Sequence, residues 1–135
     1  MTVFVDTSAL VAVLNARDQY HSQAKHLWTA LIHQEETLVC TNYVLVETLA
    51  LVQRRLGIEA ARVLQEDITP ILHIEWITDV PHLAGIAAVL VAGHRHLSLV
   101  DCVSFEVMRR MGIKTAFAYD RHFAEQGFDC IPSDG

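Results

Sequence analysis

This chain is short of punctuation, of sulfur and of positive charge. Six glycines and three prolines leave no linker, repeat or low-complexity tract. Cys40, Cys102 and Cys130 stand far apart with no C-x-x-C pair, which excludes a disulfide framework and a zinc knuckle. They read as reduced thiols used as small apolar residues in a cytoplasmic protein. No G-x-S-x-G elbow, P-loop or H-E-x-x-H signature occurs, which removes the chemistries those motifs carry. Purely apolar runs are short, Ile86 to Ala92 among them. A membrane-spanning helix needs about 20 such residues, so none is expected. The start, Met1-Thr2-Val3-Phe4-Val5-Asp6, lacks a basic n-region, so no signal peptide is expected.

Ten Lys and Arg stand against sixteen Asp and Glu, a formal net charge of −6. That balance argues against a non-specific nucleic-acid binder relying on a global positive field. It does not exclude a nuclease, because acids gathered around metal ions would leave the surface less acidic than the count suggests. The 135 residues suit one domain, 1–135, since domains run about 100–200 residues. A 52% hydrophobic content permits a substantial core.

Short β-like runs alternate with longer helical ones, which predicts an α/β domain with a mostly parallel sheet. Val3–Val5, Thr37–Thr41 and Thr115–Tyr119 read as strands, with Ile71–Ile77 a strand or extended connector. Cys130-Ile131-Pro132 suits a last edge strand, where Pro is tolerated. Ser8 can cap a helix through Leu14. His21–His33 places Ala24, Leu27, Trp28 and Leu31 at helical spacing. Asn42 can cap a helix that Gly57 closes. Further helices are expected over Glu59–Asp67, from Asp79 to near Gly93, and from Ser98 through Met111. Trp28 and Trp76 are expected in the core; the stretch Gly85–Ala92 suits core or an interface, with core favoured.

Against this background one charge stands out. Glu47 is the only charged residue in Tyr43-Val44-Leu45-Val46-Glu47-Thr48-Leu49-Ala50-Leu51-Val52. An isolated buried carboxylate costs several kcal/mol or shifts its pKa until it is neutral, so a cation should compensate it. Asp6, Asp101 and Asp120 end apolar stretches elsewhere. Asp6 and Asp120 fall at carboxyl ends of expected strands, where ligands bind in such sheets.

Each acid also has a plainer reading. Ser98-Leu99-Val100-Asp101 matches a capping box, and Asp120 and Asp6 can cap helices. Glu47 lies too far into its helix to cap; its plainer reading is a structural salt bridge to a distant Arg. Brought together, the four acids would suit hard divalent cations such as Mg²⁺ or Mn²⁺. One or two ions so held can activate water and stabilise the leaving oxygen of a phosphodiester. Arg54, Arg95, Arg121 and His122 are candidate phosphate contacts.

The chain resembles a PIN-domain ribonuclease, more narrowly a VapC-type toxin of a toxin–antitoxin pair. Val3-Phe4-Val5-Asp6-Thr7-Ser8-Ala9-Leu10 is similar to the family's first motif, and Val44-Leu45-Val46-Glu47-Thr48 to its second. Leu97-Ser98-Leu99-Val100-Asp101-Cys102 is similar to the third, and Tyr119-Asp120-Arg121-His122-Phe123 with Gly127-Phe128 to the fourth. The resemblance runs in order along essentially the whole chain. It implies a three-layer α/β/α sandwich, with Asp6, Glu47, Asp101 and Asp120 as catalytic metal ligands supported by Thr7, Ser8 and Ser98. It also implies RNA cleavage dependent on Mg²⁺ or Mn²⁺, a homodimer, and a cognate antitoxin that occludes the acidic pocket. One departure is Ala118, where many relatives carry Thr or Ser two residues before the fourth acid; it puts a supporting hydrogen bond in doubt.

The competing reading is a catalytically weak or inactive PIN-like module that grips RNA or protein. A phospho-acceptor domain fits less well, because Cys40-Thr41-Asn42 offers no Asp after the second strand. A haloacid-dehalogenase-like phosphatase wants Asp-x-Asp where this chain has Asp6-Thr7-Ser8.

Overall fold

A computed structural model describes residues 1–133. Five short strands form one sheet: β1 (Thr2–Val5), β2 (Thr37–Thr41), β3 (His73–Glu75), β4 (Thr115–Phe117) and β5 (Asp129–Ile131). Their order is β3-β2-β1-β4-β5, and every neighbouring pair is parallel. Parallel neighbours need crossover connections. The helices supply them: α1 (Thr7–Leu14), α2 (His21–His33), α3 (Asn42–Leu56), α4 (Ile58–Val63), α5 (Asp79–Ala92), α6 (Leu99–Met111) and α7 (His122–Glu125). They cover both faces of the sheet, giving a three-layer α/β/α architecture. Val3, Phe4 and Val5 of central β1 are fully enclosed, which is why that strand reads as an unbroken apolar run and not as an alternation.

The chain builds β1, β2 and β3 outward on one side, then returns to place β4 and β5 on the other. The direction of winding therefore reverses between β1 and β4, and a crevice opens there beyond the carboxyl ends of the strands. The Asp6 amide donates to the Phe117 carbonyl at 3.0 Å, locking the exits of the two strands together.

Local chemistry differs from expectation in several places. Asp6, not Ser8, caps α1, its carboxylate accepting from the Ser8 amide. Thr41 caps α3 by accepting from the Val44 amide, while the Asn42 side chain accepts from the Ile77 amide at 2.7 Å and ties α3 to the segment after β3. Thr78, not Asp79, is the cap residue of α5. The expected Glu59–Asp67 helix is interrupted: α4 stops at Val63, and a π turn (Leu64–Ile68) and a 3₁₀ turn containing Pro70 carry the chain to β3. β4 ends at Phe117, two residues short of Tyr119.

The largest correction concerns α5. Only Gly85 of this helix is buried, whereas Leu90 and Val91 are 75% and 87% exposed. A Cβ at Gly85 would lie 2.5 Å from Val103 Cγ2 of α6. The two helices thus meet along one narrow seam that only glycine permits; Val89 packs partly against the core, while Val80, Leu83, Leu90 and Val91 face outward. Trp76 is likewise exposed rather than core, while Trp28 is buried as expected.

Candidate functional site

Four elements deliver one acid each to the crevice between β1 and β4. Asp6 leaves β1, Glu47 rides on α3, Asp101 opens α6, and Asp120 follows β4. All four line a single cleft of about 400 Å³, together with Tyr20 and Tyr119. The convergence expected from the sequence is therefore present as geometry.

Each aspartate spends one oxygen on being held. Asp6 Oδ2 accepts from the Ser8 hydroxyl at 2.6 Å and from the Ser8 amide at 3.1 Å. Asp101 Oδ2 accepts from the Ser98 amide at 3.2 Å, and the Ser98 hydroxyl accepts from the Asp101 amide at 3.1 Å. The capping box is real, but it orients the acid without consuming it. Asp120 Oδ1 accepts from the His122 amide at 2.9 Å. The second oxygen of each has no hydrogen-bond partner among the described residues.

Two of the hydroxyls expected to support the site, those of Ser8 and Thr7, are hydrogen-bonded beside it. Ser8 Oγ accepts from the Tyr119 amide at 2.9 Å while donating to Asp6. This one hydroxyl bridges the chain leaving β4 to the acid leaving β1, close to where Ala118 has no hydroxyl to offer. Thr7 Oγ1 donates to the Val44 carbonyl at 3.4 Å and lies 3.1 Å from Thr48 Oγ1. This buried contact fastens α1 to α3 one turn before Glu47.

Electrostatics show the same crowding. Burial pushes Asp6 up from 3.8 to about 7; the Ser8 bonds oppose this, and the charges of Asp101 and Asp120 add to it. Glu47 is raised by burial and by the same two aspartates, with Thr7 opposing. It is half-buried rather than sealed in the core as its apolar neighbours suggest, because one side of α3 opens on the cleft. Asp101 is raised by burial and by Asp120, with Ser98 and His122 opposing. Three acids thus resist ionising in one another's presence, and a divalent cation would relieve them. The free carboxylate oxygens are hard donors of the kind Mg²⁺ and Mn²⁺ take, so the residues fit such an ion.

The expected phosphate contacts divide. Arg54 does not line the cleft; its neighbour Arg55 does. Glu47, Leu51 and Arg55 are spaced at i, i+4 and i+8 and share one helical face, a spacing that would have singled out Arg55 in the sequence. Arg95 is exposed in the segment between α5 and α6 and does not line the cleft. Arg121 lines an adjoining cavity of about 740 Å³, walled from the cleft by Tyr20 and Tyr119. Those two rings stack with centroids 4.3 Å apart and planes within 8°, a pairing across about 100 residues that no local pattern announces. His122 sits beside two of the acids: one of its ring nitrogens, with one oxygen each from Asp101 and Asp120, falls in a group of atoms all within 4.8 Å.

Comparison with known proteins agrees with this geometry. The family model for the PIN domain matches residues 3–129. The chain is 35% identical over 127 residues to the 23S rRNA-specific endonuclease VapC20 of Mycobacterium tuberculosis, covering 93% of this chain and 95% of that protein. The crystal structure of VapC20, described as a sarcin–ricin loop cleaving toxin, superposes with a TM-score of 0.84 over 93% of this chain and 95% of that one, at 34% identity. VapBC2 from Rickettsia felis, bound to a promoter DNA fragment, shares the fold at a TM-score of 0.70 and 13% identity, covering 96% and 97% of the two chains. From Val3 to Asp129, and with four acids at the crevice where its strand order reverses, this chain belongs to the PIN-domain family.

Proposed function

We propose that this protein is a metal-dependent endoribonuclease, the toxin of a toxin–antitoxin pair, acting through Asp6, Glu47, Asp101 and Asp120. The observation that carries the reading is the convergence of these four acids on one cleft. One or two Mg²⁺ or Mn²⁺ ions bound there would activate water and stabilise the leaving oxygen in phosphodiester hydrolysis. The protein's own part is positioning. Ser8, Thr7 and Ser98 fix the acids, so little reorganisation is needed when a phosphate arrives. Arg55 and Arg121 supply positive charge beside an otherwise acidic site, where backbone phosphates would be held. Beside Ala118, which has no hydroxyl, the Ser8 hydroxyl couples Asp6 to the Tyr119 backbone.

The VapC20 relative, which is specific for 23S rRNA, supports ribosomal RNA as the substrate class, and that RNA is the first substrate to try. The outward apolar surface of α5, with Leu83 62% and Leu90 75% exposed, supports a protein partner, either a second copy or the antitoxin. No helix among the described residues is long and apolar enough to cross a membrane, and the toxin reading places the protein in the cytoplasm.

The test is cleavage of ribosomal RNA by purified protein with Mg²⁺ or Mn²⁺, then with chelator. Cleavage should require the metal. It should fall at least about a hundredfold in Asp6→Asn and Glu47→Gln, because even outer partners of a metal centre are worth about 10–100-fold. Undiminished cleavage in both folded variants would refute the assignment.

A further inference from the structure

We propose that His122 is a nitrogen ligand of the ion held by Asp101 and Asp120, and that it biases this position toward a first-row transition ion such as Mn²⁺ over Mg²⁺. The inference rests on the metal-centre reading above and deepens it.

His122 Nδ1 stands 2.8 Å from Asp120 Oδ1. At that distance a hydrogen bond is the ordinary explanation, yet Nδ1 is buried with no hydrogen-bond partner. The contact has the length of a hydrogen bond without its direction. A nitrogen that does not aim at its neighbouring oxygen can still share a target with it. Two ligands on adjacent corners of an octahedron with bonds near 2.1 Å lie about 3 Å apart, close to the observed separation. One oxygen each from Asp101 and Asp120 lies with a His122 ring nitrogen in one group within 4.8 Å.

The ring is also held in place rather than waving at a rim. Its side chain is only 16% exposed. Its own amide is pinned to Asp120 Oδ1 at 2.9 Å, and its ring lies 6.5 Å from that of His94. Buried orphan donors or acceptors are rare and call for a partner; here a cation supplies one. Imidazole suits first-row transition ions, whereas Mg²⁺ prefers carboxylates and water. A mixed oxygen and nitrogen set should therefore separate the two ions where an all-carboxylate set would not.

The test is pulsed electron paramagnetic resonance of Mn²⁺ bound to the full chain, beside calorimetric titration with Mn²⁺ and with Mg²⁺. Directly coordinated nitrogen should modulate the electron spin echo in the wild type and be absent in His122→Asp and His122→Gln. His122→Asp should also lower the Mn²⁺-to-Mg²⁺ affinity ratio at least about fivefold. Bound Mn²⁺ with no nitrogen coupling, or coupling that survives both substitutions, overturns the ligand role of His122 and leaves the four-acid centre standing. No Mn²⁺ binding by folded wild type overturns this proposal and the metal centre together.

Discussion

The two halves of the cleft are built by different physics. On one side, Asp6 is 3% exposed and sits among the enclosed residues of β1, held by Ser8 through two hydrogen bonds to one oxygen. On the other side, Asp101 and Asp120 stand at the starts of α6 and α7, more open to solvent, each accepting from the backbone. The first half stores electrostatic cost, because burial dominates the rise of Asp6 to about 7. The second half sets placement, because backbone hydrogen bonds at two helix starts hold its acids and bring a carboxylate oxygen of each within 4.8 Å of a His122 ring nitrogen. A metal centre would use both: clustered negative charge that a cation relieves, and acids already held in place to receive it.

That contrast predicts a hierarchy of effects. The largest separates Asp6 from Asp101. An acid whose folded pKa is raised stabilises the fold below its unfolded pKa of 3.8, and that contribution is lost as pH rises through about 7. In chelator, Asp6→Asn should therefore raise the Tm at pH 8, with the gain over wild type shrinking toward pH 5. Asp101→Asn, at a more exposed helix start, should raise it much less. Thermal unfolding across pH 5–8 checks this, and equal gains for the two variants would erase the distinction. Saturating Mn²⁺ should raise the wild-type Tm more at pH 8 than at pH 5.

Next in size is Ser8→Ala, which removes the hydroxyl shared by Asp6 Oδ2 and the Tyr119 amide. Cleavage and Mn²⁺ affinity should fall about 10–100-fold, with the fold retained. Thr7→Val should cost about 1–2 kcal/mol in chemical denaturation, as expected for one buried hydroxyl contact, and should reduce cleavage by a smaller factor than Ser8→Ala. Smallest is Arg121→Ala. Arg121 is 83% exposed and its ion pair with Glu125 spans 3.6 Å, so stability should stay within about 0.5 kcal/mol. The slope of log affinity for single-stranded RNA against log salt should weaken by about 0.7 if one phosphate contact is lost.

The acid cleft was legible in the chain because its logic is local. Asp6, Asp101 and Asp120 each end an apolar run, and two of them, Asp6 and Asp120, follow strands whose ends converge in a parallel sheet. Glu47 announced itself by isolation, although its helix opens on the cleft and leaves it half-buried. What sequence hid is what depends on the far partner. Asn42 looked like a cap, but Thr41 precedes it and the Asn42 side chain bonds to the Ile77 amide 35 residues on. Gly85–Ala92 looked like core because every residue is apolar, yet which side of such a helix is covered is decided by α6, and the tight Gly85–Val103 approach admits only one stripe. His122 reads in the sequence only as a candidate phosphate contact; its place beside Asp101 and Asp120 depends on α6 and the turn after β4.

The most direct test of the central claim is calorimetric titration of Mn²⁺ into wild type and Asp6→Asn at pH 8. A single acid-dependent centre predicts saturable binding of one or two ions by wild type and a loss of at least about tenfold in affinity with the substitution. Equal stoichiometry and affinity in the two proteins would show that Asp6 is a buried helix cap and no part of a metal centre.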